Sequence, residues 1–255
     1  GFTIETKPDY CKQKHIDAML DYGITRIEIG VQSLQERVYK IVNRGHNYND
    51  VVESFQISKD AGYKIVAHMM PGLPTMTPDD DILDFKKLFD DSSLKPDMLK
   101  IYPSLVIENT PLFEEYKRGE YTSYSEQDMI RVLTEVKRNV PKWVRIMRVQ
   151  REISPNEIIA GPKSGNLRQI VHQNLRRQGI SCKCIRCREA GLTNKKTQDQ
   201  NIKLSRINYE SSGGKEIFLS YEDTNELIYG FLRLRKPSNL AHRSEVGNDS
   251  CIVRE

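Results

Sequence analysis

Three cysteines within six residues, Cys182-Lys183-Cys184-Ile185-Arg186-Cys187, carry the sharpest chemical signal in the chain. Thiolates at C-x-C-x-x-C spacing can wrap one tetrahedral ion, and zinc is its usual occupant. Lys183, Arg186 and Arg188 favour the thiolate form electrostatically. The fourth ligand is open among Cys11, Cys251, a histidine and water. No general base adjoins the three cysteines in sequence, which marks a structural metal rather than a catalytic one.

A second constellation is dispersed. Glu5, Gln32, Arg44 and His68 each fall on, or in the loop after, an apolar run that reads as a strand. Gathered at one mouth, an acid, an amide, a guanidinium and an imidazole suit a ligand bearing hydroxyls, an amine and a carboxylate. The acid accepts from hydroxyl or ammonium, and the guanidinium grips the carboxylate. Glu5 is an acid on an otherwise apolar strand, so burying it requires a partner. For His68 the competing reading is a packed, hydrogen-bonded histidine without a chemical role.

The elements that would position these groups follow from periodicity. Ile27, Ile29 and Val31 alternate with Arg26, Glu28 and Gly30, the period of a strand with one packed face. That run stops on Gln32-Ser33, and Ser33 is expected to cap the helix outlined by Leu34, Val38 and Ile41. Strands are expected over residues 2–6, 63–70 and 98–102, alternating with helices over 11–22, 49–61 and 78–91. Such alternation predicts a parallel α/β sheet, open or barrel-like, with too few units to close a barrel of eight. A helix over 125–140, a strand over 143–150 and a basic helix over 166–178 come next. From residue 202 the pattern changes to three antiparallel strands with Ser-Gly and Asp-Thr-Asn turns, and the start of a fourth at Cys251.

Composition limits the class. The 255 residues are 38% hydrophobic, enough for a core, and no apolar run approaches the ~20 residues of a membrane span. Five cysteines, three of them clustered, do not form a secreted disulfide framework. With no signal or anchor motif visible, the expected location is cytoplasmic. The net charge of +4 is unevenly distributed: residues 137–196 hold 15 Lys and Arg against three acids. A basic block inside an otherwise acidic chain argues for a polyanionic partner, nucleic acid first.

Eight segments, in order along nearly the whole chain, resemble the catalytic subunit of Elongator. They are Ile4-Glu5-Thr6-Lys7-Pro8-Asp9, Glu28-Ile29-Gly30-Val31-Gln32-Ser33, Asn43-Arg44-Gly45-His46 and Ala67-His68-Met69-Met70-Pro71-Gly72-Leu73-Pro74. Lys100-Ile101-Tyr102-Pro103, Arg148-Val149-Gln150-Arg151-Glu152-Ile153, Gly165-Asn166-Leu167-Arg168 and Phe218-Leu219-Ser220-Tyr221-Glu222-Asp223 complete the set. The cysteine cluster is similar to the archaeal or bacterial version, which has a zinc loop between two domains.

The resemblance implies a partial radical S-adenosylmethionine (SAM) barrel of βα units over 1–150. A basic linker with the zinc loop follows over 151–196, then the start of a GNAT-type α+β acetyltransferase domain over 197–255. The family places a carboxymethyl-type group on carbon 5 of the wobble uridine of tRNA, using S-adenosylmethionine radical chemistry and acetyl-CoA. By that likeness Glu5, Gln32 and Arg44 contact S-adenosylmethionine, and His68 stands where a relative has an acid that touches the nucleoside. Arg145, Arg148, Arg151, Arg168, Lys183 and Arg186 are the expected tRNA contacts. Further Elongator-like subunits or a second copy of the chain are expected partners, and no membrane is.

The family's cysteines for a four-iron, four-sulfur (4Fe-4S) cluster are expected before Gly1, and its acetyl-CoA glycine loop after Glu255. The chain therefore reads as a middle piece, inactive alone. Two other readings stay open at this point: a radical SAM enzyme of the porphyrinogen-oxidase type, and a non-catalytic zinc-containing RNA-binding module.

Overall fold

The structure, a computed structural model, describes residues 1–192, 201–247 and 249–254. Strands β1 (Phe2–Thr6), β2 (Ile24–Gln32), β3 (Lys64–Met69) and β4 (Met98–Ile101) alternate with helices α1 (Gln13–Asp21), α2 (Glu36–Ile41), α3 (Tyr48–Asp60) and α4 (Pro78–Asp90). Next come β5 (Val106–Ile107), α5 (Pro111–Lys117), α6 (Glu126–Asn139), β6 (Arg145–Arg148), β7 (Ile158–Ala160), α7 (Leu167–Arg177) and α8 (Ile185–Arg188). The chain continues through β8 (Lys203–Ser211), β9 (Gly214–Glu222), β10 (Ile228–Lys236) and β11 (Ile252–Val253). Among the described residues no helix is long and apolar enough to cross a membrane.

The main sheet has the order β1-β2-β3-β4-β6, every pair parallel. Neighbours in space follow the order of the chain, so right-handed crossovers put the connecting helices on one side. The sheet is thus singly wound, the barrel-like option. Its helix side is apolar: Ile27, Ile29, Val31, Ile65, Ala67, Leu99, Ile101 and Ile146 are buried under Ile16, Phe55, Leu88, Val132 and Val171. Strand alternation sends Glu5, Glu28, His68 and Lys100 to the opposite face, Glu5 in register with Glu28 and His68 with Lys100. That polarity assigns the second face to the interior of the barrel.

Local capping follows sequence in most places. Asn47, Thr77 and Ser125 accept a backbone N–H at the start of α3, α4 and α6. Ser33 does not cap α2 as expected; Gln35 precedes that helix, and no side chain caps it. The Ser33 hydroxyl instead donates to Asp84 at 2.8 Å while accepting from the Gln35 N–H at 3.1 Å.

The antiparallel sheet, ordered β11-β10-β9-β8, packs beneath the N-terminal ends of the parallel strands. Asp97, just before β4, accepts from the Ile65 N–H at 2.9 Å and from Arg254 at 2.6 and 2.8 Å. Arg254 also donates to Glu216 at 2.7 Å, and Arg235 joins Glu216 at 2.9 Å and Asp60 at 2.6 Å. These side chains are wholly buried, and each charge has the partner that burial demands. Trp143 stacks on Tyr209 with centroids 4.2 Å apart. From the segment between the two sheets, Leu167, Val171 and Leu175 of α7 enter the same core as the barrel helices. The boundary expected at 196/197, with Lys195 and Lys196 of the basic block, lies outside the described residues.

Two buried aspartates on α4 face the loops at the other end of the strands. Asp81 accepts from the Gly72 N–H at 2.8 Å and the Tyr124 hydroxyl at 2.7 Å. Gly72 has φ +85°, a conformation open to glycine, and its carbonyl accepts from the Tyr121 hydroxyl at 2.7 Å. Burial pushes the Asp81 carboxyl up to about 7, against the two hydrogen bonds and with help from the charges of Asp84 and Asp80. Raised above its unfolded value, this group favours the fold most at low pH and loses that contribution as pH rises through 7. Asp81→Asn should therefore gain thermal stability relative to the parent chain between pH 5 and pH 8, read by circular dichroism melts. A difference that does not change with pH would contradict this.

Candidate functional site

Across the polar face of the sheet, four side chains from four strands form one chain of contacts. The Glu5 carboxylate of β1 lies 3.2 Å from His68 Nδ1, and His68 Nε2 lies 2.7 Å from Glu28 Oε2. Lys100 of β4 donates to that same Glu28 oxygen. The order of the strands produces this directly, since β3 carries His68 beside both Glu28 on β2 and Lys100 on β4. Glu28 and His68 are buried, whereas the Glu5 side chain is 63% exposed and is the open end of the row. Burial alone would raise the Glu28 carboxyl. The hydrogen bonds from His68 and Lys100, with their charges, outweigh it and hold the group at about 2. The Tyr102 ring meets His68 edge-on at 5.3 Å, and the Arg151 guanidinium lies over Tyr102 at 4.7 Å.

Gln32 and Arg44 meet one step further toward the strand tips. Gln32 closes β2 with φ 71°, and Arg44 donates to the Gly30 carbonyl at 3.0 Å. A Cβ on Gly30 would lie 2.9 Å from the Arg44 guanidinium and 3.1 Å from the Gln32 amide, so only glycine lets both approach. Around them stand Lys7, which donates to the Arg44 carbonyl at 3.3 Å, and the buried His46, its ring tilted by 56° against Tyr39 with centroids 4.5 Å apart. Burial lowers both Arg44 and His46 from their ordinary values. Arg44 Nε, Asp9 Oδ1 and both ring nitrogens of His46 are buried without a hydrogen-bond partner among the described residues. Orphaned donors and acceptors gathered beside an open carboxylate fit a polar ligand with amino, carboxylate and hydroxyl groups.

The sulfurs of Cys182, Cys184 and Cys187 lie within 4.8 Å of one another, the donor set of a soft tetrahedral ion. His172 of α7 brings Nε2 to 3.6 Å from Cys187 Sγ, and Lys137 of α6 places Nζ 3.7 Å from both Cys182 and Cys187. Lys137 also lies 2.9 Å from His172 Nε2. Hydrogen bonds from the other two thiols draw Cys184 well below its ordinary value. Of the ligands left open by sequence, the histidine is thus at hand. Cys11 is buried, its thiol pushed up to about 12 by burial, and its near partner is Ser58; Cys251 is exposed. The trio sits beside the start of β6, where the Ile185 N–H donates to the Val144 carbonyl at 2.9 Å. That is the opposite end of the strands from Gln32 and Arg44, beside the edge strand β6, three places along the sheet from β2.

The six basic residues expected at a tRNA surface divide into two groups. Arg148, Arg151 and Arg186 are exposed. Arg145 pairs with Glu189 at 2.7 Å and Lys183 with Glu226 at 2.5 Å, while Arg168 donates to the carbonyls of Ile146 and Met147 at 3.3 and 3.1 Å. Arg148 stands in register with Lys100, which puts that cation on the β6 edge of the sheet, and Arg151 lies over Tyr102, whereas Arg186 stands in the cysteine loop.

Sequence reading passed over Glu28 and Lys100, although both carry a signal: each is a charged residue between apolar neighbours in a strand. Lys137 and His172 carry none, since only the packing of α6 against α7 brings them to the cysteines.

Residues 1–88 match the family model of the Radical SAM superfamily, and residues 96–177 that of the Radical_SAM C-terminal domain. The tRNA uridine(34) acetyltransferase of Methanocaldococcus jannaschii is 45% identical over 257 residues, covering 99% of this chain and 47% of that protein. Elongator complex protein 3 of Homo sapiens is 45% identical over 258 residues, covering 100% and 47%. The solved Elp3 of Methanocaldococcus infernus, with an N-terminal deletion, superposes with a TM-score of 0.95 at 44% identity, over 99% of this chain and 60% of that one. The chain thus spans about half the length of the two full-length relatives.

Glu28→Gln keeps the size of the side chain but removes the charge that His68 and Lys100 surround. It should cost about 1–3 kcal/mol at pH 7. Because the folded carboxyl sits near 2, below its unfolded value, the difference should shrink as pH falls from 5 toward 3. Urea titrations at several pH values measure this, and an equal loss at every pH would contradict the arrangement.

Proposed function

The chain belongs to the radical SAM family that includes Elongator complex protein 3 and the tRNA uridine(34) acetyltransferases, and from this we propose that it is the SAM-binding part of an enzyme modifying carbon 5 of the wobble uridine of tRNA. The observation that carries the reading is the mouth at the C-terminal ends of β1 to β4. There Glu5 meets His68, and Gln32 and Arg44 meet over Gly30, on one face of the sheet, with the exposed Arg148 on the neighbouring edge strand.

In this reading the Arg44 guanidinium grips the carboxylate of S-adenosylmethionine, and the Gln32 amide beside it bonds a polar edge of the same ligand. Glu5 accepts from ammonium or hydroxyl. His68, braced by Glu28 and Lys100, holds the Glu5 carboxylate in place and keeps the floor of the mouth charged and rigid. Bound S-adenosylmethionine, reduced by a 4Fe-4S cluster, supplies the power to take a hydrogen atom from an unactivated C–H bond. The antiparallel sheet β8–β11 is read as part of the acetyltransferase that uses acetyl-CoA. Elongator-like subunits, a second copy of the chain and a cytoplasmic setting are further expectations of this reading.

Cys182, Cys184, Cys187 and His172 are read as holders of a zinc ion rather than of the 4Fe-4S cluster. A cluster that reduces S-adenosylmethionine must touch it, and these residues stand at the far end of the sheet. The ion would tie α6, α7 and β6 together, with Lys137 supplying positive charge beside the thiolates. Metal analysis should find about one zinc per chain, lost in Cys182→Ser and weakened in His172→Ala, each with a lower melting temperature. Full zinc content in both variants would refute the assignment.

Phosphate contact falls to the exposed Arg148, Arg151 and Arg186 together with Arg176 and Arg177 of α7. Affinity for tRNA, measured by filter binding, should drop roughly 10- to 100-fold between about 50 and 200 mM salt. Reversing the charge of Arg148 and Arg151 should flatten that dependence. Binding indifferent to salt would overturn the nucleic-acid reading.

A further inference from the structure

We propose that Asp84, on the helix of the following βα unit, is a positioning residue for Gln32: its carboxylate locks the turn that aims the Gln32 amide into the mouth. This rests on the reading above, in which Gln32 meets the adenosyl ligand.

The turn needs a lock. Gln32 has φ 71°, in the left-handed region that side-chain-bearing residues adopt only when their surroundings hold them there. Its carbonyl accepts from the Met70 N–H at 2.8 Å, which ties one side of the turn to the end of β3. On the other side, the three residues that follow Gln32 all donate to one carboxylate. The Ser33 hydroxyl reaches Asp84 Oδ2 at 2.8 Å, the Leu34 N–H reaches the same oxygen at 2.7 Å, and the Gln35 amide reaches Oδ1 at 2.5 Å.

Nothing in the packing of α4 calls for a charge there. Asp84 is 1% exposed and shares its side of the helix with the core residues Phe85 and Leu88. An acid in that place is costly unless its oxygens are fully used, and here they are used on a single tripeptide. The beneficiary of that rigidity is the Gln32 amide, which shares the space over Gly30 with the Arg44 guanidinium: a Cβ there would lie 3.1 Å from the one and 2.9 Å from the other. Asp84 touches no ligand in this account; it acts through Gln32.

A double-mutant cycle tests this, with binding of S-adenosylhomocysteine to the purified chain read by calorimetry. Asp84→Asn keeps the shape but presents an amide N–H to donors that require an acceptor, and affinity should fall roughly tenfold. Gln32→Ala should fall by a similar factor, and the double variant should bind no more weakly than Gln32→Ala alone. A purely structural role would instead multiply the two losses, and that result would overturn the proposal while leaving the binding site intact. Should Asp84→Asn fail to fold, Ser33→Ala and Gln35→Ala each remove one donor, and the same non-additivity with Gln32→Ala is expected; independent losses there overturn the proposal equally. If Gln32→Ala binds like the parent, the assignment of Gln32 to the ligand fails, and Asp84 has nothing to position. Absence of binding by the parent chain would sink the reading of the mouth itself, and the inference with it.

Discussion

Glu28 can be buried because His68 and Lys100 reach it from the next two strands, and much of the molecule follows from that requirement. A carboxylate on the inner face of a parallel sheet loses its water and must recover the energy from charged or hydrogen-bonding neighbours. Here the neighbours are supplied by strand order: β2, β3 and β4 lie side by side in the sequence of the chain, with His68 beside Glu28 and in register with Lys100. A doubly wound sheet would put helices on this face and require apolar residues there. The singly wound arrangement leaves it polar, so one face builds the core and the other is free for chemistry.

The two ends of the same strands are held by different means. At the N-terminal ends, buried arginines from the antiparallel sheet neutralise Asp60, Asp97 and Glu216, welding the two sheets with charges that have no access to water. At the C-terminal ends, carboxylates on α4 hold loops by their backbone and side-chain donors, and the charges nearest the mouth stay partly exposed. The first arrangement gives rigidity. The second gives placement, with Asp81 and Asp84 one turn apart and each serving a different loop. The cysteine group belongs with the first end, beside the start of β6, which is where a structural ion would be of use.

Much of this was legible in the linear chain. The alternation of Ile27, Ile29 and Val31 announced β2, the apolar spacing over 49–61, 78–91 and 125–140 announced three helices, and the spacing of the cysteines announced a trio whose sulfurs lie close enough to hold one ion. Where the sequence misled, it did so through side chains with more than one suitable partner. Ser33 looked like a cap and serves Asp84 instead. Arg145, Arg168 and Lys183, named as tRNA contacts through the family likeness, also have acceptors within this protein that the linear chain did not reveal.

By itself, then, the sequence supplied the family likeness and the residue types available for chemistry. It also determined the longer strands and helices and their polarity, because those depend on periodicity over a few neighbouring residues; the short β5, α5, β7 and α8 were not anticipated. Only the tertiary structure decided which charge meets which: His68 with Glu28 across 40 positions, Ser33 with Asp84 across 51, Arg235 with Asp60 across 175. The physical reason is that an ion pair needs proximity, and proximity between distant residues is set by strand order and register, which no local pattern encodes.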